Sequence, residues 1–526
     1  MGARQRVRRK AGGWSNTGQH SFELEVEVRE PAAKALEGHF LDDDPRAQWV
    51  GDRRLETYLR KIELDWVINL RAELEQLDYS MALAAYEGSG RKALHPRTVV
   101  GLIVYGMLVR QWSLRDLEGL ARRDVGAWWV CGGQQPDHST IGKFIQLHRE
   151  WLSEEFFTTV VKHLVGKLKI KPGTVAGDGT VVEAASSYMR ALRAEAAREA
   201  AQATQAAAAA HPADADWQAQ AAAAAEVERV ATERIAERQA HGGKAEAVLI
   251  VAQELEAVVQ RGKDGRNRPS YKPSVLRHQS QLIVAQHVDP SREIASLQPM
   301  LDQHQQVFGA PPSRLLVDAG YFSLAVLGLA VAQDLDLLCP SGKRGQPRRS
   351  PAQQLGKDAF HYLSERDVFH CPAGRELTYL DQARDHEGRR YRRYRGRQCA
   401  DCPLRTGCTQ SAQGRSVRRY DGDDLKEAMG QVLSQAAARR AYRQRGELGE
   451  RQFAELRERQ GLRRFHRRGL PGVRVEFSLH CVAFNLKLVA RGRLGLQLHT
   501  LTFVYLLAPG QPLTFAALLW SVTPLS

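Results

Sequence analysis

The 526-residue sequence predicts an all-α N-terminal domain followed by an α/β domain. Three observations predict it: helical periodicity with caps between residues 55 and 165, a change to β-rich text at Lys171, and a later strand–helix–strand succession. Hydrophobic residues make up 43% and charged residues 26%, so the chain can bury a sizeable core and is not wholly disordered. Lysine plus arginine is 75 against 60 acids, a net +15 that points to a polyanionic partner, nucleic acid before an anionic membrane. Seven cysteines in a chain this long exclude a disulfide scaffold and suit a reducing compartment.

Residues 1–50 read as a basic, flexible N-terminus, and MGARQRVRRKAGGW has no apolar run after it, which argues against a secretory signal. In HPRTVVGLIVYGMLVRQ, Pro96 is a favoured first-turn residue, and Val99, Leu102, Ile103, Val104, Met107 and Leu108 run apolar behind it. Ser113 with Asp116 is a capping pattern for the next helix, SLRDLEGLARRD. Gly132-Gly133 breaks the chain, and a third helix begins near Asp137 or Ser139. Residues 51–168 are therefore expected to be a helical domain. Its short helices suit a helix-turn-helix DNA reader and equally a plain bundle, which periodicity alone favours.

A mixed core is expected over 169–340. KPGTVAGDGTVVEA is β-rich, with Asp-Gly between apolar runs. Residues 191–225 hold 20 alanines in 35, broken at His211-Pro212, and with EVERVATERIAERQA they read as a helical hairpin, an insertion over 187–260. Strand signals return in QLIVAQHV, SRLLVDAGY and LDLLCP, with helical SLAVLGLAVAQ between the last two, which favours parallel strands. Residues 341–422 read as an irregular, arginine-rich, cysteine-bearing insertion, and 423–491 as a C-terminal helical region. The apolar tail, 492–526, is interrupted by Pro509, Gly510, Gln511 and Pro512, so each run is too short for a bilayer span. No membrane association is expected, and the location expected is the cytoplasm.

Three acids stand out: Asp178 at a strand end in VAGDGT, Asp318 at another in LLVDAGYFS, and Glu450 on a helix. Such hard oxygen ligands suit Mg²⁺ or Mn²⁺, and paired ions can drive phosphodiester cleavage. Singly, each has a plainer reading: Asp178 as a hairpin turn, Asp318 as a helix cap, Glu450 as a solvated helix charge.

The set of motifs carries a resemblance. DGT after a strand, DAGYFS after a later strand, and Glu450, Phe453 and Arg457 as E-x-x-F-x-x-x-[KR] are similar to DDE transposases of bacterial insertion sequences. The trailing FHRRG and FNLKLVA, and the N-terminal LHPRTVVGLIVYGMLVRQWSLRDLE and PDHSTIGKF, resemble the same family, so the likeness covers most of residues 50–490. The resemblance implies an RNase H-like catalytic core in which Asp178, Asp318 and Glu450 are catalytic and hold the metal. It implies DNA contacts from Tyr442 and Arg445, ahead of the glutamate, and from Arg457, two turns beyond it.

Cys399 and Cys402, with Cys371 and Cys408, have spacing for a structural Zn²⁺, and reduced free thiols are the alternative. Similar cysteine-bearing inserts occur in these transposases. RRYRRYRGR interleaves Arg392 and Arg393 with Tyr391 and Tyr394, a composition that suits phosphate contacts and base stacking. Between Arg439 and Arg468, eleven arginines face four glutamates, and Arg463, Arg464, Arg467 and Arg468 close the run. The function expected is metal-dependent cleavage at element ends and strand transfer into target DNA. The partners expected are terminal inverted repeats, target DNA and a second copy of the chain. The alternatives are a DNA-binding relative without catalysis and a nuclease that cuts without joining.

Overall fold

The computed structural model describes residues 36–492 except 37, 89, 241, 263, 343–354 and 387, and Glu450 and Arg451 by backbone alone. The expectations for most of residues 1–35 and for the tail beyond 492 fall outside the described residues. Helix Pro96–Val109 starts at its proline, with His95 Nδ1 accepting from Arg97 N–H at 3.1 Å. Ser113 caps Leu114–Arg123 through the Asp116 N–H at 3.2 Å, and Asp137 caps His138–Leu147 through the Thr140 N–H at 2.7 Å. Between them, Val125–Cys131 stops at Gly132, φ +59°, where a Cβ would lie 1.8 Å from the Asp43 carbonyl oxygen. Arg71, only 2% exposed, ties the group together by donating to the carbonyls of Val130 at 2.7 Å and Asp43 at 3.0 Å.

The C-terminal helix Gly469–Ala490 packs on Asp65–Glu75 and Pro96–Val109 on one hand and on the central sheet on the other. Its buried residues occur all round its circumference, as that position demands. The N-terminal helices therefore form a bundle that shares a core with the sheet.

Five of the central sheet's seven strands frame the site: β1 Thr174–Gly179, β2 Asn267–His278, β3 Ile283–Asp289, β4 Arg314–Leu316 and β5 Leu337–Leu338; the short strands Val182–Glu183 and Val258–Arg261 pair with the start of β2. In space the order is β3-β2-β1-β4-β5, with β1–β2 and β2–β3 antiparallel and β1–β4 and β4–β5 parallel. The result is a mixed parallel and antiparallel sheet with helices packed against it. Asp178-Gly179 is not the hairpin turn that the dipeptide alone suggests: Asp178 pairs with Val275 and Gly179 with Ser274. The four residues Thr174–Gly177 are buried in succession, so β1 is the central strand, covered on both faces.

At the β3 edge the register shifts, with Leu276 opposite Ala285 but Arg277 opposite Ile283. There the fully buried Asn485 pairs with Ile283 like a short strand: Oδ1 accepts from its N–H at 2.9 Å and Nδ2 donates to its carbonyl at 2.8 Å.

The alanine-rich text forms the helices Ala194–Ala210 and Ala215–Ala240, packed on each other and broken at His211-Pro212. Residues 341–422 depart from expectation. Instead of irregular chain they hold a five-stranded antiparallel sheet: His361–Leu363, Val368–His370, Glu376–Arg384, Arg390–Gly396 and Ser416–Tyr420. Its small core is Phe360, Phe369, Leu377, Tyr394, Cys408 and Val417. Arginines stack on its rings, Arg419 3.8 Å from the Tyr362 centroid and Arg418 4.7 Å from that of Tyr391. Strands faced with arginine and tyrosine lack the apolar alternation that makes strands legible. Among the described residues no helix is long and apolar enough to cross a membrane.

Candidate active site

Parallel pairing sets the ends of β1 and β4 side by side. Asp178 is the penultimate residue of β1, and Asp318 follows β4 by two. From helix Ala436–Glu458, Arg445 lies between them, its Nη2 3.2 Å from Asp178 Oδ1 and 3.6 Å from Asp318 Oδ2. Burial pushes the Asp178 carboxyl up from 3.8 to about 6; Asp318 and Glu293 push the same way, and the Arg445 charge and the Gly179 N–H pull against them. Asp318 is also the cap that its sequence allows, accepting from the Gly320 N–H at 2.7 Å.

Three contacts seat the helix. The Tyr442 hydroxyl donates to the Val317 carbonyl at 3.1 Å, one residue ahead of Asp318. Arg277, over the Phe484 ring, donates to the Leu448 carbonyl at 3.4 Å. Lys487 of the C-terminal helix pairs with Glu455 at 2.6 Å. Glu450 stands on this helix five residues beyond Arg445, and its side chain lies outside the described residues. Arg457, seven residues further on, shares a helix flank with Glu450. Burial lowers the Arg457 pKa and the charge of Asp178 raises it, so Arg457 lies within electrostatic reach of Asp178.

One acid at this site has no counterpart among the motifs. Glu293, at the turn from β3 into helix Leu297–Phe308, contributes to the field on Asp178 and lies 3.7 Å from Lys272. Its text, SREIASL, matches no motif. The only signal is an acid at a strand-to-helix turn just upstream of the second aspartate's strand. Among the described residues no three His, Cys, Asp or Glu side chains are already grouped as a metal shell.

The residues expected to contact DNA divide. Arg457 and the exposed Arg468 have no ion-pair partner among the described residues. Arg463 pairs with Glu458 at 2.7 Å, and Arg464 Nε donates to the Ala184 carbonyl at 3.0 Å while Phe465 N–H bonds to Glu183. Arg467 is largely desolvated, with Glu476 as its compensating charge. Arg393 pairs with Asp381, and Arg392 lies 3.6 Å from Asp367. Tyr391 and Tyr394, expected to stack on bases, are 7% and 0% exposed: Tyr394 belongs to the small sheet's core, and Arg418 lies over the Tyr391 ring on the other face. Composition counted the arginines but not the acids that strand pairing brings opposite them.

The four cysteines do come together. Cys371, Cys399, Cys402 and Cys408 line one small cavity, with the Arg375 N–H 3.3 Å from Cys371 Sγ and the Arg415 N–H 3.5 Å from Cys399 Sγ. Burial pushes the Cys408 thiol up, and the other three thiols add to it. Cys131, Cys339 and Cys481 are buried core residues.

The raised Asp178 pKa has a measurable consequence. A carboxyl with a folded pKa near 6 against 3.8 favours the fold fully below about pH 4 and loses that contribution as pH rises through 6. In EDTA, Asp178→Asn is therefore expected to be more stable than the parent by about 2 kcal/mol at pH 7.5 and equal to it at pH 4, read from urea unfolding midpoints.

Two family models match the chain, one described as "Transposase domain (DUF772)" over residues 55–147 and one as "Transposase DDE domain" over residues 370–490. The second match holds Glu450 and the four cysteines; neither holds Asp178 or Asp318. Comparison with curated proteins and with solved structures finds no match. Transposase domains thus match the N-terminal bundle and the late helix that meets the two strand-end aspartates, and the chain is a DDE-type transposase of the insertion-sequence kind, an enzyme of DNA transposition.

Proposed function

We propose that Asp178, Asp318 and Glu450 together hold Mg²⁺ or Mn²⁺, and that the enzyme cuts element ends by hydrolysis and joins them to target DNA. The observation that carries this reading is the single cation, Arg445, shared by Asp178 and Asp318. Two carboxylates that already share one positive charge between neighbouring strand ends fit a divalent ion, with Glu450 on the adjoining helix. Bound ions would activate the attacking oxygen and stabilise the leaving one. In their absence Arg445 offsets the repulsion of the pair and keeps the two acids together. Arg457 and Arg468 offer cations to DNA phosphates. Tyr442 fixes the backbone ahead of Asp318, and Arg277 fixes the helix ahead of Glu450.

In the first step a water oxygen bonds to phosphorus as the P–O3′ bond breaks, leaving a 3′-hydroxyl and a 5′-phosphate. In the second, that hydroxyl attacks a target phosphorus and releases a target 3′-oxygen. The bundle over 55–147 would read the terminal repeats, and two ends held together call for a homodimer on DNA. Action on chromosomal DNA would place the enzyme in the cytoplasm.

Four thiolates drawn together in the cysteine cavity would hold a structural zinc; they are not grouped as a metal shell as they stand, but two backbone N–H groups already point at the sulfurs of Cys371 and Cys399. Cys399 Sγ, now 3.3 Å from the Gly396 carbonyl, has to turn inward to join it. Elemental analysis is expected to find one zinc per chain, lost in a Cys399→Ser, Cys402→Ser variant together with several degrees of melting temperature.

The test is direct. Purified protein, duplex carrying the repeats that flank its reading frame, and Mg²⁺ or Mn²⁺ are expected to yield a nick with a 3′-hydroxyl, then joint molecules with a second duplex. Binding without cleavage contradicts the reading, and cleavage without joining restricts it to a nuclease.

A further inference from the structure

The position of Glu293 is defined by two glycines. A Cβ on Gly179, next to Asp178, would lie 2.7 Å from Glu293 Cγ, 2.9 Å from its Cδ and 2.9 Å from Ser274 Oγ. A side chain there would push the Glu293 carboxyl aside, so the glycine of the DGT motif is what lets that carboxyl lie against β1. On the other side, a Cβ on Gly320 would lie 2.9 Å from Asp318 Oδ1 and 3.9 Å from Glu293 Oε2. Those two distances bound the separation of the Asp318 and Glu293 oxygens below about 7 Å.

A second observation points to a ligand beside this carboxyl. Tyr321 and Ser274 are fully buried and Thr180 is 5% exposed; among the described residues none of their hydroxyls has a partner in normal hydrogen-bond geometry, the Tyr321 and Ser274 hydroxyls being close neighbours of each other. Burial pushes the Tyr321 hydroxyl's pKa up, and the charges of Glu293, Asp178 and Asp318 add to it. Buried hydroxyls are rarely left without partners unless water or an ion completes the site. Lys272, 3.7 Å away and a quarter exposed, accounts for only part of Glu293's charge, because a partly exposed pair of that length is weak.

We propose that Glu293 belongs to the metal-binding site as a positioning residue, its carboxylate holding water of a divalent ion whose direct ligands include Asp178 and Asp318. This rests on the metal reading of those two aspartates. A separation of several ångströms suits an outer carboxylate, and Mg²⁺ keeps several waters for such groups to orient.

The test is Mn²⁺ binding to full-length protein without DNA, followed by the electron paramagnetic resonance of free Mn²⁺, with melting in EDTA as the folding control. Glu293→Gln is expected to weaken Mn²⁺ about tenfold while melting like the parent in EDTA. Parent-like affinity in Glu293→Gln, together with loss of binding in Asp178→Asn, overturns the role of Glu293 alone. Parent-like affinity in Asp178→Asn overturns the metal reading beneath it. Should Glu293→Gln melt early, Lys272→Met decides: binding tightens severalfold if Glu293 serves the ion, and unchanged binding overturns the proposal.

Discussion

Asp178→Asn is expected to bind repeat DNA as the parent does and to cut it at least about a thousandfold more slowly, some 4 kcal/mol of lost transition-state stabilisation. The substitution keeps the size of the side chain and its place opposite Val275, so the fold has little reason to change. What it removes is half of the charge that Asp178 and Asp318 present together to one cation. Most of the catalysis in phosphoryl transfer comes from positioning and charge, so losing a carboxylate at that point acts on rate rather than on DNA binding. Single-turnover nicking with gel-shift affinity measured on the same protein checks it. Cleavage within tenfold of the parent would remove Asp178 from the chemistry.

Asn485→Leu is expected to cost about 2–5 kcal/mol of stability, the largest effect foreseen for any residue away from Asp178 and Asp318. Its amide satisfies both backbone groups of Ile283 where β3 goes out of register with β2. Leucine has a similar volume, so packing around the fully buried position changes little while one N–H and one C=O lose their partners. The same residue joins the C-terminal helix to the sheet that carries Asp178, so cleavage and stability are expected to fall together. The shift of the urea unfolding midpoint and the yield of soluble protein measure it, and a midpoint within 0.5 kcal/mol of the parent would contradict it.

How much of this was legible depended on how local the signal was. Pro96, Ser113, Asp137 and Gly132 act within a turn of themselves, and each stands where the sequence placed it. Asp178 was ambiguous because Asp-Gly suits a hairpin as well as a strand end; only pairing with β2 and β4 decides, and those partners lie about 100 and 140 residues away. Glu293 escaped notice because its meaning comes from the glycines it packs over, Gly179 and Gly320, not from its neighbours in sequence. The arginines of RRYRRYRGR misled for a related reason. Asp381, Asp367 and Asp421 come within reach of Arg393, Arg392 and Arg390 only once the small sheet forms, and it buries Tyr394 in its core and Tyr391 beneath Arg418.

The claim on which the rest depends is that chain segments near 178, 318 and 450 surround the same ions. Fe²⁺ put in place of Mg²⁺, with ascorbate and peroxide, generates hydroxyl radicals that cut the polypeptide only beside the bound metal, and mass spectrometry locates the cuts. The account predicts cuts next to Asp178, Asp318 and Glu450 in one pattern, all of them suppressed by excess Mg²⁺ and absent from Asp178→Asn. Cuts at one of these segments without the others, or clustered elsewhere in the chain, would contradict it.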